Sequence, residues 1–300
     1  MTVPPLPTFL VCGIQKGGTT ALHAYLDSHP DVFCSRPKEL NFFDLHWDKG
    51  VEWYRSHFQG AESYLAAGEA SPHTMRDLRC AERIQRLLPE ARLLFVLRDP
   101  VQRAWSNYTY NLARGIQDPG QSLDQALDTE DGRARYLDKG FYLDQLRAFA
   151  EACGGERMRV LFAEQLRGDP QACLEPVFRF LGVDPERWSP CELESNATSV
   201  SGSASMRSFL FRWGQARQRL QPLVPAGLAR MTRGVRSSLR QGLVGETERM
   251  LLPQATRDRL HAAYAESTRE LAAWLPSGVV HAPPLPPWLR SDAALHSASR

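Results

Sequence analysis

Residues 9–22 limit what this chain can fold into more than any other part of its sequence. They read FLVCGIQKGGTTAL: a short apolar run, a glycine-rich turn that contains Lys16, and two threonines that begin an amphipathic helical pattern. A strand, a glycine-rich loop and a helix N-terminus in this order form a phosphate cradle, because backbone N–H groups and the helix dipole both face the anion. We therefore predict an anion site over residues 15–20. The alternative is a plain glycine turn that holds no ligand.

The lysine of this turn stands at an unusual position. The common nucleoside-triphosphate loop is G-x-x-x-x-G-K-[ST]; here Gly13 and Gly18 fit that spacing, but Thr19 follows and the lysine comes earlier, at Lys16. A lysine in the usual place reaches the β- and γ-phosphates while the next hydroxyl holds Mg²⁺, so the shift favours a shorter anionic tail and a reaction without metal. The chain has 32 arginines and only four lysines, which indicates that a compact positive charge is needed at Lys16.

Composition and charge narrow the class of protein. Three hundred residues, 43% of them hydrophobic, with a mean hydropathy of −0.38, are typical of a globular protein. A net charge of +2 is too small to indicate a nucleic-acid partner. The six cysteines include no C-x-x-C pair, so we expect reduced thiols, no metal site and no disulfide framework. The N-terminus lacks a signal-peptide pattern and no apolar run reaches the ~18–20 residues of a membrane span, so we expect a cytoplasmic protein.

Strand and helix patterns alternate along the chain. The predicted strands are residues 8–12, 92–97 and 157–162. The predicted helices are residues 19–28, 51–58, 81–88, 101–114, 141–152 and 170–182. Residues 30–50 and 115–135 are expected to be loops. This alternation predicts an α/β fold with a P-loop-like central parallel sheet flanked by helices on both faces. We expect one domain over residues 1–290 and a loosely ordered tail over 291–300.

Residues 195–245 form an unusual basic stretch. They contain no acidic residue and eight arginines, which are Arg207, Arg212, Arg217, Arg219, Arg230, Arg233, Arg236 and Arg240. Apolar residues accompany them at roughly helical spacing, so we predict a basic helical segment over 207–245. It has three interpretations: a solvated face, a surface for an anionic ligand, or peripheral contact with an anionic membrane through residues 209–240.

Four segments in this order resemble the sulfotransferases that use 3′-phosphoadenosine 5′-phosphosulfate (PAPS), and most nearly their carbohydrate branch, with the heparan-sulfate-type enzymes and related bacterial enzymes. Residues 15–22 look like the loop that binds the 5′-phosphosulfate. Residues 37–44, PKELNFFD, resemble the segment that carries the catalytic base. Residues 94–108 are similar to the strand, loop and helix that bind the 3′-phosphate, and residues 196–208 resemble, more weakly, the late loop that folds over the nucleotide.

The resemblance implies PAPS as co-substrate, 3′,5′-ADP as product and no metal. The side chains and loop residues that it implies for nucleotide binding are Lys16, Gly17, Gly18, Thr19, Thr20, Arg98, Ser106 and Arg207. In the family, the arginine and serine at the positions of Arg98 and Ser106 both contact the 3′-phosphate. The late loop lacks the family's Lys-Gly pair, so Arg207 is only the nearest candidate for a phosphate ligand there.

Two catalytic side chains follow from the same resemblance. In-line transfer of the sulfuryl group leaves negative charge on the bridging oxygen of the departing nucleotide, and Lys16 is the cation expected there. Glu39 stands where the carbohydrate branch has its general base, and we expect Phe42 and Phe43 to give its carboxyl an apolar setting that raises the pKa. The alternative is a plain ion pair of Glu39 with Lys38 or Arg36.

The acceptor side of the predicted site is less closely defined. Lys38, His73 and Tyr142 are candidate substrate-binding residues. The heparan-sulfate enzymes carry a lysine after the glutamate that matches Glu69, where this chain has Ala70, and this departure argues against a sulfated polysaccharide as acceptor. We expect a hydroxyl or amine group of a glycan, a lipid or a natural product, and no nucleic-acid partner.

Two other functions fit part of the pattern. A P-loop kinase acting on a small hydroxylated substrate needs a Mg²⁺-binding acid at a strand end, and Asp99 is the candidate. A non-catalytic module would bind the bisphosphate nucleotide and recruit partners through residues 207–240. The kinase predicts Mg²⁺-dependent binding of ATP, whereas the module predicts nucleotide binding that survives Glu39→Gln with no turnover to lose.

Overall fold

The computed structural model describes residues 3–190 and 250–290, together with residues 200–201, 208, 211–212 and 247–248. Most of the basic segment 207–245, including Arg207, and the tail 291–300 lie outside the described residues. Backbone contacts divide the chain into two compact units. The first unit comprises Met1–Arg103, Lys139–Glu194 and Ala263–Arg300, and the second comprises Ala104–Asp138 and Ser195–Ala262. The single domain expected over residues 1–290 stays a prediction.

A parallel sheet of five strands forms the centre of the first unit. The strands are β1 (Phe9–Gly13), β2 (Val32–Cys34), β3 (Ala66–Ala70), β4 (Arg92–Leu97) and β5 (Met158–Phe162), in the spatial order β2-β3-β1-β4-β5. Every neighbouring pair is parallel, and Phe9 of β1 lies opposite Gly68 on one side and Arg92 on the other. Strands buried on both faces need nearly continuous apolar runs, which β1 and β4 supply. The predicted parallel sheet is confirmed.

Helices cover both faces of this sheet, as predicted. In chain order the helices of the described residues are α1 (Thr19–Asp27), α2 (Gly50–Arg55), α3 (Arg79–Leu87), α4 (Pro100–Ala113), α5 (Leu123–Leu127), α6 (Glu130–Gly132), α7 (Leu143–Cys153), α8 (Ala163–Gly168), α9 (Pro170–Leu181) and α10 (Gln254–Trp274). One apolar cluster joins Phe95 of β4 to Phe149 of α7, and the other joins Val96 of β4 to Leu22 of α1. Successive residues of β4 therefore serve opposite faces, as the pleat of a strand requires.

The second unit has its own polar contacts. Tyr136 accepts a hydrogen bond from the amide of Asn111 at 3.1 Å and donates one to the amide oxygen of Gln117 at 2.8 Å. Arg259 on α10 pairs with Asp128 after α5 at 2.7 Å.

Within the described ranges, no helix has both the length and the apolar character that a membrane span requires.

Some predicted loops were wrong. β2 lies within residues 30–50, and α5 lies within residues 115–135, where Ser122 and Gln125 form a reciprocal capping box. β3 was not predicted because its sequence, AAGEA, is made of small residues and one acid, which have low strand propensity. Its place between β1 and β2 decides its conformation instead.

The parallel arrangement brings the chemical motifs of the sequence together. All five strands point the same way, so their carboxyl ends lie along one edge of the sheet, where ligands bind in open α/β folds. The connections that leave this edge begin at Ile14 after β1, Ser35 after β2, Ser71 after β3 and Arg98 after β4. These connections contain the predicted donor loop, general base, acceptor residue and 3′-phosphate ligand.

Candidate active site

The loop after β1 follows a path that only glycine permits at one point. Ile14 N–H donates to the Val96 carbonyl at 2.9 Å, and Gly17 N–H donates to the Ile14 carbonyl at 2.8 Å. A Cβ on Gly17 would lie 2.6 Å from the Val96 carbonyl oxygen. Lys16 adopts a left-handed φ of 68°, an uncommon conformation that the surrounding bonds hold in place. The predicted strand, glycine loop and helix are confirmed in this segment.

Helix α1 presents its N-terminus to this loop. Its N-cap is Gly18, with a φ of 104°, and among the described residues no side chain caps the helix there. The first turn begins with Thr19, which is buried, and Thr20, which is exposed, and it contains no acidic residue. The N–H groups of this turn therefore keep their partial positive charge, which suits a phosphate or sulfate group.

Arg98 connects the end of β4 to the same loop. Its Nη1 donates to the carbonyl oxygen of Lys16 at 3.3 Å. The guanidinium is half-buried, and this burial, followed by the charge of Arg167, lowers its pKa; the group still remains charged at neutral pH, because arginine starts from so high a value. A half-buried cation beside a second cation favours a multiply charged anion, so Arg98 suits a phosphate.

Tyr142 supports the backbone at this point. Its hydroxyl donates to the Arg98 carbonyl at 2.9 Å, and the side chain is 1% exposed. Burial raises the pKa of the phenol. Tyr142 thus contacts the end of β4 that carries Arg98. Its role in acceptor binding stays a prediction.

Asp99, the acid that the kinase alternative requires, holds the start of α4. Its Oδ1 accepts the N–H of Val101 at 2.8 Å, and its own N–H donates to Glu164 at 3.2 Å. A carboxylate that satisfies the N-terminal N–H groups of a helix has a structural role. No group of three or more His, Cys, Asp or Glu side chains in the described part of the chain is arranged to hold a metal ion.

Glu39 lies on the connection after β2, next to Lys38. Its N–H donates to the Ala70 carbonyl at 3.1 Å, and its carboxylate accepts from Lys38 Nζ at 2.7 Å. The side chain is 43% exposed. Phe42 and Phe43 are both 1% exposed and belong to the core around Tyr54. The expected apolar setting of Glu39 is therefore wrong, because the two rings point into the core. The assignment of Glu39 as base stays a prediction.

Glu69 on β3 is a buried carboxylate of this region, and the sequence did not predict a role for it. Its oxygens accept the Ser71 hydroxyl at 2.5 Å and the Tyr54 hydroxyl at 3.1 Å, and Ser71 in turn accepts the N–H of Asn41 at 2.9 Å. Burial raises the pKa of Glu69 to about 7, although these hydrogen bonds act to lower it. The chain Glu69–Ser71–Asn41 thus ties β3 to the connection that carries Glu39. Because β3 was not predicted, no sequence signal indicated that this acid would be buried and therefore paired.

Glu69→Gln is expected to change how the stability of the fold depends on pH. The folded-state pKa of about 7 lies above the reference value of 4.5, so between these values the folded protein binds more protons than the unfolded chain. The wild-type free energy of unfolding therefore decreases as the pH rises from about 4.5 to 7, by on the order of 3 kcal/mol from this group, and the variant lacks that term. Urea unfolding at several pH values in this range, with the exposed Glu62→Gln as control, measures the effect. A pH-independent difference between wild type and Glu69→Gln would contradict it.

His73 follows β3 and is half-buried. Burial lowers its pKa most, and Lys139 lowers it further, whereas Asp44 and Glu39 raise it. The structure therefore makes His73 an electrostatic neighbour of the predicted base. Of the other predicted ligands, Ser106 is half-buried on α4 in the second unit, and Arg207 lies outside the described residues; their roles stay predictions.

A glycine loop at the N-terminus of α1 and an arginine after the adjacent strand give this α/β protein a candidate anion site at the carboxyl edge of its sheet. Residues 6–270 match the family model described as the sulfotransferase domain. The chain belongs to this family.

Relatives and one solved structure agree with this family. Over 240 residues, 69% of this chain, it is 28% identical to the bifunctional heparan sulfate N-deacetylase/N-sulfotransferase 4 of Mus musculus. Over 110 residues, 36% of this chain, it is 37% identical to the membrane-associated sulfotransferase kil1 of Dictyostelium discoideum. The matches cover 27% and 23% of those proteins, so the chain spans about a quarter of the length of these curated relatives. A sulfotransferase structure from Alicyclobacillus acidocaldarius superposes with a TM-score of 0.58 at 25% identity, covering 75% of this chain and 99% of that one.

Proposed function

We propose that this protein transfers the sulfuryl group of PAPS to a hydroxyl or amine group of an acceptor by in-line displacement, with release of 3′,5′-ADP. Membership of the sulfotransferase family supports the reaction class. The observation that carries the donor assignment is the direct contact between Arg98 and the Lys16 carbonyl at one edge of the sheet. In this contact a guanidinium group suited to phosphate lies beside a glycine-rich loop suited to phosphate or sulfate. Two adjacent anion-binding groups match PAPS, because PAPS has an anionic group at each end.

The residues of the loop fit the 5′-phosphosulfate. Gly17 allows the loop to pack closely against the end of β4, since a Cβ there would lie 2.6 Å from the Val96 carbonyl oxygen. Gly18, Thr19 and Thr20 offer the first N–H groups of α1, and the two threonines add hydroxyl donors. Arg98 anchors the 3′-phosphate with its planar guanidinium. The family resemblance implies Ser106 as a further 3′-phosphate ligand and leaves Arg207 as the nearest candidate in the late loop.

PAPS supplies the sulfuryl group and its leaving nucleotide. Glu39 accepts the proton of the acceptor hydroxyl or amine, whose lone pair forms the new bond to sulfur. Lys16 stabilises the negative charge that develops on the bridging oxygen as the old sulfur–oxygen bond breaks. Lys38 holds the Glu39 carboxylate by its ion pair of 2.7 Å. Tyr142, through the Arg98 carbonyl, keeps the strand end in position.

The acceptor that we propose is a glycan, a lipid or a natural product with a free hydroxyl or amine. One relative is named for heparan sulfate, which supports a glycan acceptor, and another is named as membrane-associated, which supports peripheral membrane contact. Lys38 precedes Glu39 on the connection after β2, and His73 lies on the connection after β3; both would contact such an acceptor. We place the protein in the cytoplasm, with peripheral membrane contact through residues 209–240.

Thermal unfolding with added nucleotides tests the donor site. We expect 3′,5′-ADP to raise the melting temperature by on the order of 5 °C at one hundred times its Kd, with no dependence on Mg²⁺. ATP and AMP lack the 3′-phosphate and should stabilise much less. Arg98→Ala should remove most of the shift, whereas Arg179→Ala, an exposed ion-pair residue on α9, should leave it unchanged. A Mg²⁺-dependent preference for ATP would replace this proposal with the kinase alternative.

A further inference from the structure

Lys139 is a buried lysine beside the donor loop. It lies on a short turn, Asp138–Gly140, immediately before α7, and it is 7% exposed. Its Nζ donates to the side-chain oxygen of Gln15 at 2.8 Å. Gln15 directly precedes Lys16 in sequence, so this contact joins two positions 124 residues apart and brings a second ammonium group to the donor loop.

The charge of Lys139 also acts on the acceptor side. After burial, the charge of Lys139 is the next largest cause that lowers the pKa of His73. The charges of Asp44 and Glu39 raise that pKa. Lys139 is therefore close to the residues that we place around the acceptor as well as to the donor loop. The position where donor and acceptor meet is where the sulfuryl group is transferred.

The turn that carries Lys139 is fixed on its C-terminal side. A Cβ on Gly140 would lie 2.5 Å from the Tyr264 hydroxyl, and the ring of Phe141 packs edge-on against Tyr264 at 5.1 Å. Tyr142 is bonded to the Arg98 carbonyl. A cation held in a preformed, poorly hydrated position interacts with an anion more strongly than one on a mobile surface side chain, because less reorganisation and less water screening intervene.

We propose that Lys139 is a second cation of the transfer centre, whose ammonium group binds the sulfonate oxygens of PAPS. This inference rests on the proposed function. It assigns Lys16 to the bridging oxygen that leaves and Lys139 to the sulfuryl group that moves. If Lys139 only held Gln15 in position, its replacement would affect binding of the sulfonate and of the nucleotide part of PAPS alike.

Comparison of two nucleotides isolates the proposed contact. PAPS carries the sulfonate and 3′,5′-ADP does not. The difference between their Kd values, measured by calorimetric titration without acceptor, therefore reports the contribution of the sulfonate to binding. For Lys139→Met we expect PAPS to bind at least about 10-fold more weakly and kcat to decrease about 100-fold, while the Kd of 3′,5′-ADP stays within about 2-fold. Lys139→Arg keeps the charge and should retain part of the PAPS preference. Lys49→Met, at an exposed lysine, is the matched control.

Gln15→Ala decides between the two roles of Lys139. If Lys139 acts on the sulfonate, removing its Gln15 partner weakens PAPS binding less than Lys139→Met does. Equal losses of PAPS and 3′,5′-ADP in Lys139→Met, or identical effects of Gln15→Ala and Lys139→Met, would overturn the inference. If Lys139→Met does not fold, Lys139→Gln preserves a polar partner for Gln15 and serves the same comparison. Wild-type protein that binds neither nucleotide overturns the proposed function itself, before any variant is compared.

Discussion

Replacing Lys16 with methionine is expected to lower kcat for sulfuryl transfer by about 10²–10³-fold, the effect of removing one preorganised donor from a developing negative charge. Lys16 follows Gln15 in the loop at the N-terminus of α1, and the surrounding bonds fix its unusual φ of 68°. The affinity for 3′,5′-ADP should decrease much less than kcat, because charge on the bridging oxygen is greatest in the transition state.

The measurement is transfer from labelled PAPS to a panel of glycans, lipids and small hydroxylated compounds, combined with calorimetry of 3′,5′-ADP. Lys49→Met controls for the loss of one lysine at an exposed position. An unchanged kcat in Lys16→Met would remove Lys16 from the reaction. A lower 3′,5′-ADP affinity with an unchanged kcat would show that Lys16 binds the ground state and the transition state equally.

Glu39→Gln should lower kcat by about 10²–10⁴-fold, the range by which a positioned general base accelerates proton transfer. Its backbone is tied to β3 by the Ala70 carbonyl and its carboxylate to Lys38. Glutamine has nearly the same shape, so the affinity for 3′,5′-ADP should not change.

Initial rates over a range of pH, with Glu52→Gln as the control at an exposed position of α2, provide the test. If Glu39→Gln keeps both its rate and its pH profile, the base is another group, and His73 is the next candidate. If wild type and variant both bind 3′,5′-ADP but neither transfers sulfuryl to any acceptor of the panel, the non-catalytic module becomes the better interpretation.

The positions of the glycine loop and of Arg98 were predictable because their signals are local. Strands β1 and β4 are nearly continuous apolar runs, and each is followed directly by one of the candidate anion ligands, so position along the chain is enough to place Lys16 and Arg98 at the ends of these strands. Parallel strands then bring both to one edge of the sheet. The short β2 and the small residues of β3 carry no comparable signal, because the sheet around them determines their conformation.

The other residues depend on contacts between distant parts of the chain. Lys139 reaches Gln15 across 124 positions, and nothing in the local sequence of a turn indicates such a contact. Glu69 is close to its partners Ser71 and Tyr54 in sequence, but the burial that perturbs its pKa comes from the packing of the whole sheet. The predicted apolar setting of Glu39 was wrong for the same reason, because the rings of Phe42 and Phe43 pack into the core and not around the carboxylate.

The common direction of the five strands also determines where a fusion partner or a label can be joined to this protein. Each strand of five residues or so spans about 16 Å, so the turns that enter the strands lie well away from the edge where Lys16 and Arg98 are found. Residues 60–65 before β3 and residues 89–91 before β4 are two such turns. A carrier domain, an immobilisation tag or a fluorescent label grafted there would lie away from the edge that carries Lys16 and Arg98, which makes these turns suitable attachment points for the binding assays described above.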